Sequence, residues 1–140
     1  MSAARFPFDT AVCVRDLPTA LLAAETAQSV GIDPVLISEP EAGIHAGGLW
    51  WRALTDRVMD ACPSAAVVAI LDCGDQVGAA LGAIRAGCRD LTVAAAPPAL
   101  VGFAIAQGVS LHPKPLSILT LGRIDRRTRA VVEQFLTDRL

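Results

Sequence analysis

The chain is expected to form an α/β domain built on a parallel sheet, and three observations carry that expectation. Short apolar runs recur along its 140 residues, each followed by a helical segment that ends near glycine or proline. Those runs are continuously apolar rather than alternating, which is the pattern of strands covered on both faces. The clearest instance is Ala65–Val93, AAVVAILDCGDQVGAALGAIRAGCRDLTV, which reads as strand, acidic turn, helix and strand.

Each element has a local reason. Thr10–Val14 is short and β-branched enough for a first strand, and Asp16 can cap the helix after it. Pro18 suits a first helical turn, where its missing N–H would be unpaired anyway. Gly31 supplies a left-handed stop, and Val35–Ser38 is a compact second strand after Asp33-Pro34. A loop, EPEAGIHAGG, spans Glu39–Gly48 before a helix over Leu49–Cys62 that Pro63 ends. Trp50 and Trp51 are adjacent, so they cannot face the same way, and one of them is expected at an edge or subunit contact. Arg52 and Asp56 can pair one turn apart.

Val67–Leu71 reads as the third strand, with Asp75 as cap of the next helix. Gly78 and Gly82 lie one turn apart in that helix, a costly choice that suggests close approach to the sheet. Leu91–Ala94 is a fourth strand, and Pro97-Pro98 opens a helix over Ala99–Gln107. Val109–Pro115, which contains His112-Pro113-Lys114-Pro115, reads as an extended connector to a fifth strand, Leu116–Leu121. The last helix starts at Asp125. Five strands alternating with five helices predict one domain over residues 1–140, a three-layer sandwich with the flavodoxin-like strand order 2-1-3-4-5. A closed barrel calls for about eight such units.

Composition narrows the class of function. Apolar residues make up 53% and charged residues 19%, which excludes a disordered chain and a basic nucleic-acid-binding module. Cys13, Cys62, Cys73 and Cys88 have no metal-ligand spacing, so buried, reduced thiols in a cytoplasmic protein are expected. Met1–Arg5 lacks the charge pattern of a leader. The apolar stretch Leu91–Ala106 is too short for a membrane span and is interrupted by Pro97-Pro98.

Ligands of open parallel sheets bind outside the carboxyl ends of the strands where the order reverses. With the expected order that crevice collects Asp16 and the turn Asp72–Asp75, with Glu39, Gly47 and Gly48 on the neighbouring loop. Asp16 and Asp72 are candidate oxygen ligands for Mg²⁺. The glycine loop ahead of a helix is a candidate seat for a phosphate-containing ligand, although it matches neither GxxxxGK[ST] nor GxGxxG. His45 and Asp72 are the candidate acid–base groups. Cys73, flanked by acids, is poorly suited to act as a nucleophile, and no GxSxG elbow is present.

The segment AVVAILDCGDQVGAALGAIRAGCRDLTVAAAPPAL, and AIRAGCRDLTV above all, resembles the later half of a response-regulator receiver domain. The likeness covers about a quarter of the chain. It implies a flavodoxin-like fold, with Asp16 in the acidic pair, Asp72 as phosphoacceptor and Lys114-Pro115 as the Lys-Pro element. Ala95 and Ala96 stand where receivers carry a hydroxyl.

The expected function is therefore a small ligand- or partner-binding module, regulatory in character, that uses the carboxyl edge of its sheet. A small metal- or phosphate-dependent enzyme is the first alternative and a structural homo-oligomer subunit the second. Trp50, Trp51 and Phe103 on helices point to a homodimer, and Arg123, Arg126, Arg127 and Arg129 form a basic cluster at the start of the last helix.

Overall fold

The computed structural model describes residues 9–138, so the stretch read for a leader, Met1–Arg5, lies outside the described residues. Six parallel strands form one sheet: β1 (Thr10–Val14), β2 (Val35–Ser38), β3 (Val68–Asp72), β4 (Asp90–Thr92), β5 (Ser110–Leu111) and β6 (Ser117–Thr120). Between and after them run α1 (Leu17–Ser29), α2 (Ala42–His45), α3 (Gly48–Ala61), α4 (Val77–Arg85), α5 (Pro98–Ala106) and α6 (Thr128–Thr137).

The α/β class and the parallel sheet agree with the sequence reading. Strand number and order do not. The observed order is β5-β4-β3-β2-β1-β6, in place of five strands in the order 2-1-3-4-5. The additional strand, β5, is two residues long and lies inside the stretch read as connector. Such a strand carries no periodicity and becomes visible only through its partner, with Asp90 opposite Ser110 and Leu91 opposite Leu111.

This order also removes one layer of the expected sandwich. From β1 to β5 every strand lies beside its predecessor, so right-handed crossovers put the connecting helices on one face. The helices pack side by side there: α1 touches α3 and α6, α3 touches α4, and α4 touches α5. Val12, Val14, Leu36, Ala69, Leu71 and Leu91 meet them in one large core that includes the buried Trp51. The opposite face forms a separate cluster of strand residues alone, Ala11, Cys13, Ile37 and Ile70, flanked by Val35, Val68 and Ile118. Ile70 and Ile37 are fully buried although no described helix residue joins that cluster.

A short connector explains this burial. Only residues 112–116 separate β5 at one edge of the sheet from β6 at the other. Six residue steps reach ~21 Å at most, whereas five strand spacings across a flat sheet already cover ~24 Å. The sheet must therefore be curved rather than flat, with the second cluster on its concave side.

Local details separate sound expectations from mistaken ones. Asp16 caps α1 as anticipated: its Oδ1 accepts the Thr19 N–H at 3.0 Å, and Thr19 Oγ1 accepts the Asp16 N–H at 3.2 Å. Arg52 Nε donates to Asp56 at 3.1 Å. Asp75 does not cap α4, whose N-cap is Gln76, and Asp125 lies ahead of the α6 N-cap Arg127, accepting its N–H at 2.8 Å. Gly78 and Gly82 are exposed, and a Cβ added at either would meet nothing within 4 Å. The close helix approach lies elsewhere, at Gly48, where an added Cβ would sit 2.6 Å from the Ala83 Cα. Trp51 is buried with its indole N–H directed at the Ala69 carbonyl (3.4 Å), and half-buried Trp50 packs against it at 5.6 Å between ring centroids.

Candidate ligand-binding crevice

Strand register grades the concave face from apolar to polar. Ala11 and Ile118 pair at the amino end, as do Val35 and Val68. The next row runs Thr120, Cys13, Ile37, Ile70, Asp90 and Ser110. Beyond it Asp72 stands opposite Thr92 at the carboxyl end. Apolar contacts thus hold one end of the concave face closed, and hydrogen-bonding groups gather at the other.

A crevice of about 390 Å³ opens there, lined by Pro40, Glu41, Asp72, Thr92, His112 and Lys114 among others. Asp72 is its most constrained member. Its N–H donates to Ser38 Oγ at 2.9 Å, and its Oδ1 accepts the Gly74 N–H at 2.8 Å. The side chain is 8% exposed, and Lys114 Nζ stands 3.6 Å from its Oδ2. Lys114 itself is 57% exposed and reaches over the crevice from the connector.

His112 anchors that connector. Its N–H donates to the Leu91 carbonyl at 2.7 Å, and its Nε2 lies 2.7 Å from Asp90 Oδ1. The imidazole is 4% exposed and Nδ1 is sealed from solvent, so the pair ties the connector to β4 and offers the crevice little reach for proton transfer. The rim is held by backbone: the Ala94 N–H donates to the Gly74 carbonyl at 2.7 Å, joining the loops after β3 and β4. Gly74 adopts φ +58°, and the non-glycine residues Glu41 and Ala95 are also left-handed, at +62° and +52°. Left-handed backbone therefore recurs in the loops after β2, β3 and β4.

Of the ligand-site candidates Asp16, Glu39, His45, Gly47, Gly48, Asp72 and Asp75, only Asp72 lines the crevice. Asp16 is engaged as a helix cap, and the hydrogen bond from the Thr19 backbone holds its carboxyl below the usual range. Asp75 is exposed and accepts from the Gln76 side chain at 3.1 Å. Glu39 is exposed just past β2. Gly47, at φ +88°, is the N-cap of α3, and Gly48 is taken up by packing on α4. His45 ends α2, exposed, 3.5 Å from Glu41. Among the described residues no three or more His, Cys, Asp or Glu side chains gather as a metal-binding group. Of the positions that the receiver likeness marks, Asp72 and Lys114 meet and Asp16 lies outside the crevice.

Sequence reasoning missed Thr92, Asp90 and His112 as parts of one site. The available signal was His112-Pro113-Lys114-Pro115, in which two prolines stiffen a segment with two cationic-capable side chains. Without β5 its landing place was invisible.

All four cysteines are free and buried, and burial raises each thiol pKa. Cys73 is pushed up to about 12, first by burial and then by the charge of Asp72. A thiol in that state is a packing group, since the reactive species is the thiolate.

The chain matches no protein-family model, and no curated protein matches it significantly. No described helix is long and apolar enough to cross a membrane.

Proposed function

We propose that this protein is a small ligand-binding α/β module that takes an anion-bearing metabolite in the crevice beyond β3 and β4. The observation that carries the reading is the convergence of Asp72, Thr92 and Lys114 in one crevice, from two strand ends and a pinned connector. Parallel sheets present their carboxyl ends to ligands because loops and backbone N–H groups are concentrated there. Lys114 supplies the cation for the ligand, and Asp72 and Thr92 supply the polar groups that orient it.

The enzyme alternative has less support. It drew on His45 with Asp72, and His45 is not among the crevice residues. His112, the histidine that is, has Nε2 committed to Asp90. Association as a homodimer belongs to the same proposal: Val101, Phe103 and Ile105 leave much of α5 exposed, and Leu116 beside β6 is 86% exposed.

Amide chemical-shift mapping with acetate, inorganic phosphate and glycerol 3-phosphate tests the binding reading. The expected result is saturable shifts at Gly74, Thr92, Ala94 and Lys114 that Lys114→Met abolishes. Shifts confined to the basic cluster at Arg123–Arg129 would overturn it. Light scattering tests the dimer, and a monomer at high protein concentration would end that part.

A further inference from the structure

We infer that the ligand is a small zwitterion, an α-amino acid whose ammonium replaces Lys114 on Asp72 while its carboxylate takes Lys114. This inference rests on the binding reading above and specifies the ligand of the same crevice. The two charged groups of the crevice are unequal. Asp72 is fixed and nearly buried, with Oδ1 occupied by the Gly74 N–H and only Oδ2 directed at Lys114. Lys114 is more than half exposed on a flexible four-carbon stem, and at 3.6 Å the ion pair is open rather than tight.

A simple anion that draws Lys114 to itself pulls the ammonium away from Asp72. A buried carboxylate would then lose its counter-charge, which opposes binding. A ligand bearing its own ammonium next to its carboxylate removes that penalty. It inserts between the two groups, gives Asp72 Oδ2 a new charged donor, and gives Lys114 a new acceptor. Net charge in the crevice is unchanged, because a neutral zwitterion enters a neutral pair. Thr92 is placed to hydrogen-bond the ligand carboxylate, and Pro40, Val93 and Pro113 form an apolar wall for a side chain. The volume of about 390 Å³ admits one amino acid of ordinary size.

The test is calorimetric titration of the full-length protein with L-alanine, L-valine and L-glutamate, beside acetate and methylammonium chloride as half-ligands. The expected result is at least one amino acid binding tenfold or more tightly than either half-ligand. Asp72→Asn, which keeps the acceptor for Gly74, should reduce that amino acid to the level of acetate. Lys114→Met should lose both, with amide spectra showing both variants folded. Acetate binding as tightly as every amino acid would overturn the zwitterion while leaving an anion site intact. No binding by any of the probes, together with no shifts in the mapping experiment, would overturn both readings.

Discussion

The two faces of the sheet are built on different terms. The convex face meets α1 and α3 to α6 through side chains that are nearly all apolar and mostly small, with Ala20, Ala23, Ala24, Ala27, Ala80 and Ala83 letting helices lie close. The concave face has no described helix against it and is closed by curvature, with a connector crossing it. One face is uniform along the strands, and the other passes from Ala11 and Val68 at one end to Asp72 and Thr92 at the other. The difference teaches where a site can form. Helix packing needs matched apolar surface everywhere, whereas a face enclosed by its own curl can keep polar groups at its open end.

Substitutions at the centre of each face test this contrast most strongly. Trp51→Ala should cost ~3–5 kcal/mol and Ile70→Ala ~2–5 kcal/mol, because both delete fully buried side chains. Urea denaturation measures both. A loss below ~1 kcal/mol for Ile70→Ala would mean that the concave cluster is not packed and the sheet is not curled.

Release of the connector should act on one face only. His112→Ala leaves Asp90 without its 2.7 Å partner and is expected to destabilise by ~1–3 kcal/mol. Hydrogen exchange should then quicken at the amides of Ser110, the substituted position and Ser117, while α1 and α3 keep their protection. Uniform acceleration would indicate that the pair serves the whole fold and not the connector.

Gly48→Ala should cost ~1–3 kcal/mol, since the new methyl would press on the α4 backbone at Ala83. Gly48 is a convex-face contact, so the concave site should keep its ligand shifts in this variant.

Alkaline pH probes the buried thiols of both faces, Cys13 on the concave side and Cys73 on the convex side. Their folded pKa values lie above the ordinary 9.0, so the unfolded chain loses its thiol protons first. Stability is complete below about pH 9 and falls as pH rises toward about 12, the value reached by Cys73. Melting temperatures from pH 8 to 11 should show this fall, and Cys73→Ala should lessen it.

The smallest effect is expected at Gly78 and Gly82. Alanine at either exposed site should stabilise by up to ~1 kcal/mol, because the helix gains propensity and the new methyl meets nothing. A loss at both would restore the close packing that their spacing suggested.

Much of the fold was legible because it is written in local chemistry. The capping of α1 by Asp16, the apolar runs of β1 to β3 and the proline start of α5 each rest on a few neighbouring residues. The site was less legible, since its residues are joined only by strand pairing. Asp72 was legible because it ends a strong strand and opens the acidic turn Asp72–Asp75. His112 was not, because its role depends on Asp90, 22 positions earlier in the chain.

Alone, the sequence determined the α/β class, the sites of most helices and strands, and the position of Asp72 at the carboxyl end of a strand. Those follow from side-chain size, periodicity and capping, which act over one or two turns. Tertiary structure decided the rest: the order β5-β4-β3-β2-β1-β6, the helices on a single face, and the meeting of Asp72 with Lys114. The reason is a length constraint. A five-residue connector between opposite edges can be satisfied only by a curled sheet, and that curl brings a lysine from the connector onto the carboxylate at the end of β3.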